Sequence, residues 1–432
     1  MLAMLLSQAA FPQNNITVIK GATIISTANN GKDANDIPNA YIILEGDKII
    51  EVGTLSDRKK FPRKAKTIKA KGKYIVPGLI DGFAAINNQK YANAYLYMGV
   101  TSIISVDGFR RGPFFGGGNP APHIYRLDGV GEERMTDAAL LAAIEEKHEK
   151  GIKVLLIMYG LAPEQIALSM KKAKEYGMAT IGELGFTSYL QGMKLGVNAF
   201  VHTTRYSLDI APHNMALAVA QHPFSNDLNS AKWKYYKFLT GLKKGYQPLI
   251  DHAKNLGNYN AYIFPTSSLS YLDIPGHSNP WDEPIAKTLD MKDINRPADK
   301  ITGNHAIDSV EQNAYTKLIV NELEVIEPTY YQHGAKYLTG SATDVWGTMP
   351  GISLHTEFET LTKIGLKPRE VIAAATENFS KAFGWKIGKI AKGYRADILI
   401  LNNNPLTDLK SLKDIDVLIQ KGKVIDRAGM LK

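Results

Sequence analysis

The chain has 432 residues, of which 44% are hydrophobic and 22% charged, and its formal net charge is +9. This balance is typical of globular proteins and excludes a disordered chain, and the length provides for one large α/β domain and a smaller one. The sequence contains no cysteine, which excludes disulfides, thiolate nucleophiles and cysteine-bound zinc. It also contains no apolar run of the ~18 residues that would predict a transmembrane helix.

The first 13 residues, MLAMLLSQAAFPQ, resemble the end of a secretory signal peptide without its basic n-region. The apolar stretch is shorter than the usual ~7–15 residues, so a loosely packed terminus fits equally well. A leader or signal-peptide remnant would indicate a periplasmic or exported protein, and the alternative is a cytoplasmic one. We leave residues 1–13 out of the fold prediction.

One dense basic run, RKKFPRKAK at residues 58–66, could in principle contact nucleic acid or a membrane surface. No nucleic-acid-binding motif accompanies this run, and the other charges are scattered along the chain. We therefore interpret it as a solvated loop and expect no nucleic-acid partner and no membrane span.

The predicted elements change from β-rich to alternating and back to β-rich along the chain. Residues 16–27 and the hairpin-like segment 40–53 predict strands. After Pro77, apolar strands alternate with helical segments, which implies a parallel sheet. The strands predicted in this middle region are 79–80, 99–106, 153–158, 179–181, 199–202, 260–264 and 336–339. Strand patterns return at 393–401 and 417–425.

This order predicts an α/β fold, a TIM-like (β/α)8 barrel with a small β-sandwich domain built from both chain ends. The expected boundaries are residues 77–387 for the barrel and residues 14–76 plus 388–432 for the composite β-sandwich domain. Reacting groups of such barrels lie at the C-terminal ends of the strands, so candidate site residues are expected there.

Several short motifs follow one another in the order found in the amidohydrolase superfamily. They are VPGLID at 76–81, GVTS at 99–102, GVNAFVH at 196–202, PGISLHTE at 350–357, REVIAAATENFSKAFG at 369–384 and GYRADILIL at 393–401. The chain resembles this superfamily over nearly its full length and is most similar to the imidazolonepropionase and prolidase-like branch. The resemblance implies a hydrolase acting on carbon–nitrogen bonds, in which a bound metal ion lowers the pKa of a water to make hydroxide.

Most residues at the family's metal-ligand places cannot bind a metal. By the resemblance, the histidine pair after the first strand falls on Phe83 and Ala85. The lysine place of the fourth strand falls near Leu156, and the histidine place of the fifth strand falls near Gly182. Catalytic zinc sites usually keep three protein ligands. We therefore expect that the metal site is lost and that there is no cofactor, unless a rebuilt site holds a divalent metal such as zinc.

Two candidate catalytic residues stand at or near positions where the superfamily has metal ligands. His202 in AFVHTT stands at the histidine place of the sixth strand. After the eighth strand, the family aspartate is either replaced by Ala342 or shifted to Asp344. Each residue also has an interpretation without a catalytic role. His202 can be a histidine that is merely hydrogen-bonded, and Asp344 can be a loop carboxylate that pairs with a lysine or caps a helix.

Three further residues are candidates for substrate binding. Glu183 follows the fifth strand, although an outward-pointing side chain is the interpretation that we favour. His277 and Trp281 lie in a loop rich in proline and glycine after the seventh strand, and long loops at this face of a barrel often shape substrate pockets.

Ligand loss favours a non-catalytic or ligand-binding homologue, a pseudoenzyme with a small-molecule ligand. The first alternative is a hydrolase of carbon–nitrogen bonds, in dipeptides or non-peptide compounds, that uses a rebuilt or metal-independent site. The second is a structural subunit that forms a hetero-oligomer with an active paralogue, and a homo-oligomer is also open. The family resemblance favours a hydrolase only at the level of general class, because a fold does not fix an activity.

Overall fold

The computed structural model describes residues 16–58, 60–109, 113–225, 227–305 and 309–432. The predicted leader, residues 1–13, lies outside the described residues. Within the described part of the chain, no helix is both long enough and apolar enough to span a membrane.

The elements are numbered in chain order. The strands are β1 (Ile16–Ile24), β2 (Ile37–Glu45), β3 (Lys48–Thr54), β4 (Lys66–Lys69), β5 (Tyr74–Pro77), β6 (Leu79–Ala84), β7 (Val100–Val106), β8 (His123–Val130), β9 (Val154–Ile157), β10 (Ala179–Gly182), β11 (Ala199–Val201), β12 (Tyr262–Phe264), β13 (Lys336–Tyr337), β14 (Ile398–Leu401), β15 (Ile415–Gln420) and β16 (Lys423–Ile425). The α-helices are α1 (Ala28–Gly31), α2 (Gln89–Tyr97), α3 (Asp137–Glu149), α4 (Pro163–Glu175), α5 (Tyr189–Lys194), α6 (Thr203–Tyr206), α7 (His213–Gln221), α8 (Ala231–Thr240), α9 (Gln247–Asn258), α10 (Ser309–Asn321), α11 (Glu327–Gln332), α12 (Ile352–Ile364), α13 (Pro368–Ala374) and α14 (Glu377–Phe383). A π-helix, Glu322–Ile326, joins α10 to α11.

Strands β6 to β13 form one parallel sheet in which each strand pairs with the next along the chain. The two ends of this sheet meet, because the Gly82 N–H donates to the Thr339 carbonyl at 2.8 Å and the Ala342 N–H donates to the Phe83 carbonyl at 2.7 Å. The α/β fold is therefore confirmed, and the curled eight-stranded sheet fits the predicted TIM-like barrel.

Strand β8, His123–Val130, was not among the predicted strands. Its sequence, HIYRLDGV, is half polar, and only two of its eight residues are buried. The polar positions make ion pairs, Arg126 with Asp107 at 2.6 Å and Asp128 with Lys147 at 2.6 Å. A strand whose exposed side is charged lacks the continuous apolar run by which buried parallel strands are recognised.

The remaining strands form a second, mixed sheet from both chain ends, in the order β16-β15-β14-β5-β1-β2-β3, with β4 also paired to β1. The two ends join where β14 pairs antiparallel with β5. Ile19 and Ile42 from the first end share one apolar cluster with Ile398 and Ile419 from the second. This sheet fits a separate domain, and the boundaries at 76 and 388 stay a prediction.

Alternate residues of the barrel strands face the interior. Val154 and Leu156 of β9 and Ala179 and Ile181 of β10 belong to the apolar cluster inside the barrel. Because side chains alternate along a strand, the next inward position of β10 is Glu183. The strand register therefore directs this carboxylate toward the mouth of the barrel.

Candidate functional site at the barrel mouth

Two adjoining cavities lie at the C-terminal ends of the barrel strands. The smaller, of about 290 Å³, lies beyond the ends of β10, β11 and β12 and is bordered by α8 and α10; we call it the mouth cavity. The larger, of about 750 Å³, lies beyond the ends of β7, β8 and β9 and is called the side cavity. Glu183, His202 and Phe224 line both, so the cavities are parts of one region.

Phe83 and Leu156, two of the predicted ligand places, are apolar residues at this mouth. Both belong to the cluster inside the barrel and line the side cavity. The Phe83 ring stands edge-on to the His202 imidazole, with 5.2 Å between ring centroids. Phe83, at the first-strand ligand position, therefore contacts His202 through an aromatic ring contact that cannot bind a metal.

The other two predicted ligand places do not face the cavities. Ala85 is buried, and its carbonyl accepts a hydrogen bond from the Tyr95 hydroxyl at 2.9 Å. A Cβ on Gly182 would lie 2.8 Å from the Phe200 ring and 3.2 Å from Val197, which belong to the layer outside the barrel. The mouth residue of the fifth strand is therefore Glu183, one position beyond the predicted place.

His202 is held in its orientation by its backbone and by Thr266. Its backbone has a φ of +65°, and its N–H donates to the Phe264 carbonyl at 2.9 Å. The ring Nδ1 is 2.6 Å from the Thr266 Oγ1, and that hydroxyl donates to the Pro265 carbonyl at 2.6 Å. Because a hydroxyl has only one proton to donate, a Thr266 hydroxyl that donates to Pro265 favours the tautomer with a proton on Nδ1 and Nε2 as an acceptor.

The imidazole of His202 is neutral. Burial, and in second place the positive charge of Arg205, lower the pKa of His202 to about 3. The residue therefore enters the mouth as a hydrogen-bond acceptor that can take up a proton only at low pH.

Glu183 and Arg205 form a buried ion pair. Glu183 Oε1 lies 3.1 Å from Arg205 Nε, and the two side chains are 8% and 9% exposed. The guanidinium also donates to the Pro223 carbonyl at 3.0 Å and lies over the rings of Tyr159 and Phe224. Burial raises the pKa of Glu183, and Arg205 opposes that rise. The outward orientation that we favoured for Glu183 is not what the structure shows.

Two buried carboxyl groups also line the mouth cavity, and the sequence did not single them out. Asp273 and Glu322 are 5% and 6% exposed, and Oδ1 and Oε1 respectively have no hydrogen-bond partner among the described residues. Burial, and then the charge of Glu311, raise the pKa of Asp273 to about 7. Burial, and then Glu327, raise the pKa of Glu322 well above its ordinary value. Glu322 begins the π-helix, and such segments often occur at functional sites.

Lys232 brings an ammonium group to the same cavity from the first turn of α8. Its residue exposure is 6%. Burial, and then the charge of Arg205, lower the pKa of Lys232 to about 8. An aromatic group made of Tyr236, Tyr315 and Trp346, which we call the aromatic wall, lines the same cavity.

Asp344 does not line either cavity, although Val345 beside it lines the mouth cavity. It is 3% exposed, and its carboxylate accepts hydrogen bonds from Asn87 Nδ2 at 3.1 Å and from the Asn295 N–H at 3.4 Å. Asp344 therefore connects two loops. It does not line the cavities that His202 and Glu183 line.

The predicted loop residues are also elsewhere. His277 Nδ1 lies 2.9 Å from the Ser278 carbonyl oxygen. The Trp281 indole is 8% exposed and donates to the Ala298 carbonyl at 2.8 Å. Neither side chain lines the mouth cavity or the side cavity. The structure thus brings together His202 and Glu183 of the five predicted residues.

The residues at the mouth do not fit the metal centre implied by the resemblance. Among the described residues, no group of three or more histidine, cysteine, aspartate or glutamate side chains is placed to hold a metal ion. Two ligand places are apolar, two do not face the cavities, and Glu183 is engaged by Arg205. We therefore derive no step that passes through a metal.

The charged cavity residues that were not predicted lie in sequence segments without a recognisable motif. Arg205 stands three residues after His202 in HTTRY, and Lys232 begins the segment KWKYYKF. Both come from short helices that follow a strand or a loop, and only the folded chain shows that α8 and α10 border the mouth. Asp273 and Glu322 are isolated acidic residues in otherwise mixed segments, and no motif contains them.

Comparisons with known proteins agree with the resemblance at the level of fold. The sequence description of the amidohydrolase family matches residues 289–425, which is less than half of the chain. No curated protein matches the sequence.

Solved structures match nearly the whole chain at low identity. A Xaa-Pro dipeptidase with bound methionine in the active site is 15% identical, with a TM-score of 0.60, over 95% of this chain and 100% of that one. Ochratoxinase from A. niger is 14% identical, with a TM-score of 0.62, over 95% of this chain and 96% of that one. Bottromycin amidohydrolase is 15% identical, with a TM-score of 0.68, over 96% and 88%. These likenesses show a shared fold.

Proposed function

We propose that this protein is an amidohydrolase-fold homologue that binds a small molecule at the barrel mouth and does not use the metal-bound hydroxide of its relatives. The family match and the shared fold support the general class. The pseudoenzyme assignment rests on the chemistry of the mouth.

One observation carries the proposal. Phe83 stands where a ligating histidine is expected and packs edge-on against His202, while a cavity lined by ionisable side chains is retained beside it. A phenylalanine ring has no lone pair for a metal, so this pair cannot act as a metal-binding imidazole pair. The neighbouring cavity keeps the concave shape and the few convergent polar groups that small-molecule sites have.

The first experiment is elemental analysis of the full chain produced in turn with zinc, manganese and iron. We expect metal well below one equivalent. Near-stoichiometric metal that is lost in His202→Gln and kept in His213→Gln would overturn the proposal, because His213 is an exposed histidine on α7 and controls for surface binding.

A metal-independent hydrolase is the second candidate, and one observation favours it. The neutral His202 offers Nε2 as an acceptor at the cavity, and Asp273, with a pKa of about 7, lines the same cavity. Asp273 can take up and release a proton near neutral pH, while His202 accepts a hydrogen bond from a reacting group without being protonated. Turnover of amide or ester substrates that disappears in both His202→Gln and Asp273→Asn, with folding intact, would favour this candidate over the first.

A further inference from the structure

Lys232 is an unusual cation because it is buried without a direct partner, and the charge of Glu311 offsets the lowering of its pKa only in third place. Its residue is 6% exposed, and none of the ion pairs and hydrogen bonds found among the described residues involves its ammonium. The ring centroids of Trp233 and Tyr236 are each 5.8 Å from Nζ. A buried ammonium normally has a carboxylate or other acceptor, so the cavity offers a charge that a ligand can complete.

The position of Lys232 in α8 strengthens this argument. The helix is capped by the Ser230 side chain, which accepts a hydrogen bond from the Trp233 N–H, and Lys232 lies in its first turn. A cation there is disfavoured because the helix N-terminus already carries a partial positive charge. The same partial charge adds to the ammonium in attracting an anion.

The other charged groups near the cavity have partners of their own or are at least partly neutral. Glu311, whose charge raises the pKa of Lys232, does not line the cavity and lies 3.9 Å from Arg296. Arg205 is paired with Glu183 at 3.1 Å. Asp273 and Glu322 are held toward their neutral forms by burial, and their unpartnered oxygens can then donate or accept hydrogen bonds without charge. The cavity therefore has a partial excess of positive charge near pH 7, where Asp273 is about half ionised, and the excess approaches one charge below about pH 6.

The rest of the lining is apolar and aromatic. Tyr315 packs against Trp346 in the aromatic wall, with ring centroids 5.1 Å apart. Phe224 and Leu269 add apolar surface to the rest of the lining. The volume of about 290 Å³ is at the small end of ligand pockets, which usually measure ~300–1,000 Å³. A single ring or a short aliphatic chain fits such a space.

We infer that the mouth cavity binds a small organic carboxylate, with the carboxylate on the Lys232 ammonium and the apolar body against the aromatic wall. This inference rests on the proposed function, to which it adds the ligand class. An amine-bearing ligand would instead place a second cation beside Lys232 and Arg205.

The test compares four ligands of similar shape and different charge on the full chain by thermal shift and calorimetry. They are phenylacetate, phenylacetamide, phenethylamine and phenylalanine. We expect phenylacetate to bind most tightly, and we expect Lys232→Gln to weaken it about 10- to 100-fold, as for the loss of a hydrogen bond to a charged group. Lys234→Gln removes an exposed lysine of the same helix and should leave the affinity unchanged.

The outcomes separate the two proposals. Tighter binding of phenethylamine or phenylacetamide than of phenylacetate overturns the carboxylate assignment and leaves ligand binding at the mouth intact. Tighter binding of phenylalanine than of phenylacetate overturns only the exclusion of amine-bearing ligands. Equal loss of phenylacetate affinity in both lysine variants also overturns it. If none of the four compounds binds, the ligand class is wrong, whereas the proposed function is overturned by near-stoichiometric metal in the elemental analysis. The ligand series on the wild type does not depend on how well the Lys232 variant folds.

Discussion

Asp81, the last residue of VPGLID, is the position at which the folding role of this motif can be measured. Its carboxyl is fully buried in β6. Oδ1 accepts the Ser341 N–H at 2.8 Å, and Oδ2 has no hydrogen-bond partner among the described residues. Burial raises the pKa of Asp81 to about 7, and the hydrogen bonds from Ser341 oppose this rise only in part. We predict that Asp81→Asn stabilises the protein at alkaline pH relative to acidic pH.

The magnitude follows from the two pKa values. Because the folded-state pKa is raised, the stability that the protonated carboxyl provides is fully present below about pH 4 and is lost as the pH rises through about 7. The rise from 3.8 to about 7 corresponds to a loss of about 4 kcal/mol at ~1.4 kcal/mol per pKa unit. Between about pH 5 and pH 8, the stability of Asp81→Asn relative to wild type should therefore increase by roughly 2–3 kcal/mol.

The comparison cancels the effects that do not depend on ionisation. An asparagine amide without an acceptor costs ~1–3 kcal/mol, but this cost is the same at both pH values. Burial, and in part the charge of Asp81, raise the pKa of Glu357 to about 8. Asp81→Asn removes that charge and so lowers the pKa of Glu357. This lowering also stabilises the variant at pH 8 relative to pH 5.

The assay is urea unfolding followed by tryptophan fluorescence at about pH 5 and pH 8, for wild type, Asp81→Asn and Asp47→Asn. Asp47 is an exposed carboxylate in the turn between β2 and β3 and should show no such difference between the two pH values. A stability difference between Asp81→Asn and wild type that stays constant with pH would refute the reasoning, since it would mean that Asp81 is ionised in the folded protein throughout.

Three further variants test the geometry of the mouth. Arg205→Met leaves Glu183 buried without its partner and should lower the unfolding free energy by about 3–5 kcal/mol; the double variant with Glu183→Gln should recover most of this, and an additive loss would contradict the pairing. Thr266→Val removes the acceptor of the mouth histidine and should shift its proton to Nε2, as nitrogen NMR would report, with an unchanged tautomer as the contrary result. Gly182→Ala should cost about 1–3 kcal/mol by overpacking the outer layer, whereas Gly245→Ala, with open space around it, should not. Equal melting temperatures for these two glycine variants would mean that Gly182 faces the mouth.

The sequence predicts the fold where long apolar strands alternate with helices, and predicts less where polar residues are buried. Strand β9, VLLI, is apolar at every position and was readily predicted, whereas β8 was missed because its outer positions are charged. The fifth-strand ligand place was placed at Gly182, one residue before Glu183. In a strand, a shift of one residue exchanges the two faces, and only the pairing of β10 with β9 fixes which face is which.

The site was predicted less well than the fold for a related physical reason. His202 and Glu183 lie at strand ends, where the barrel topology alone brings residues together. Lys232, Asp273 and Glu322 come from helices and turns far apart in the chain, and they meet at the mouth only through tertiary packing. Their ionisable side chains are unremarkable in sequence and become informative only through burial without partners.

A chain can keep the approach to a metal site without its ligands because the two serve different physical needs. A Cβ on Gly78 would lie 2.2 Å from Thr101 Oγ1, and the Gly78 N–H donates to the Asp397 carbonyl at 2.9 Å, which links the barrel to the second sheet. Asp81 links β6 to the segment after β13 through Ser341. None of these contacts needs a metal, whereas Phe83 at the ligand place gains apolar burial, worth ~1.5–3 kcal/mol for a phenylalanine side chain. The contacts of VPGLID therefore serve the fold. The fold also accepts Phe83, an apolar residue, at the position where the superfamily has a metal-binding histidine.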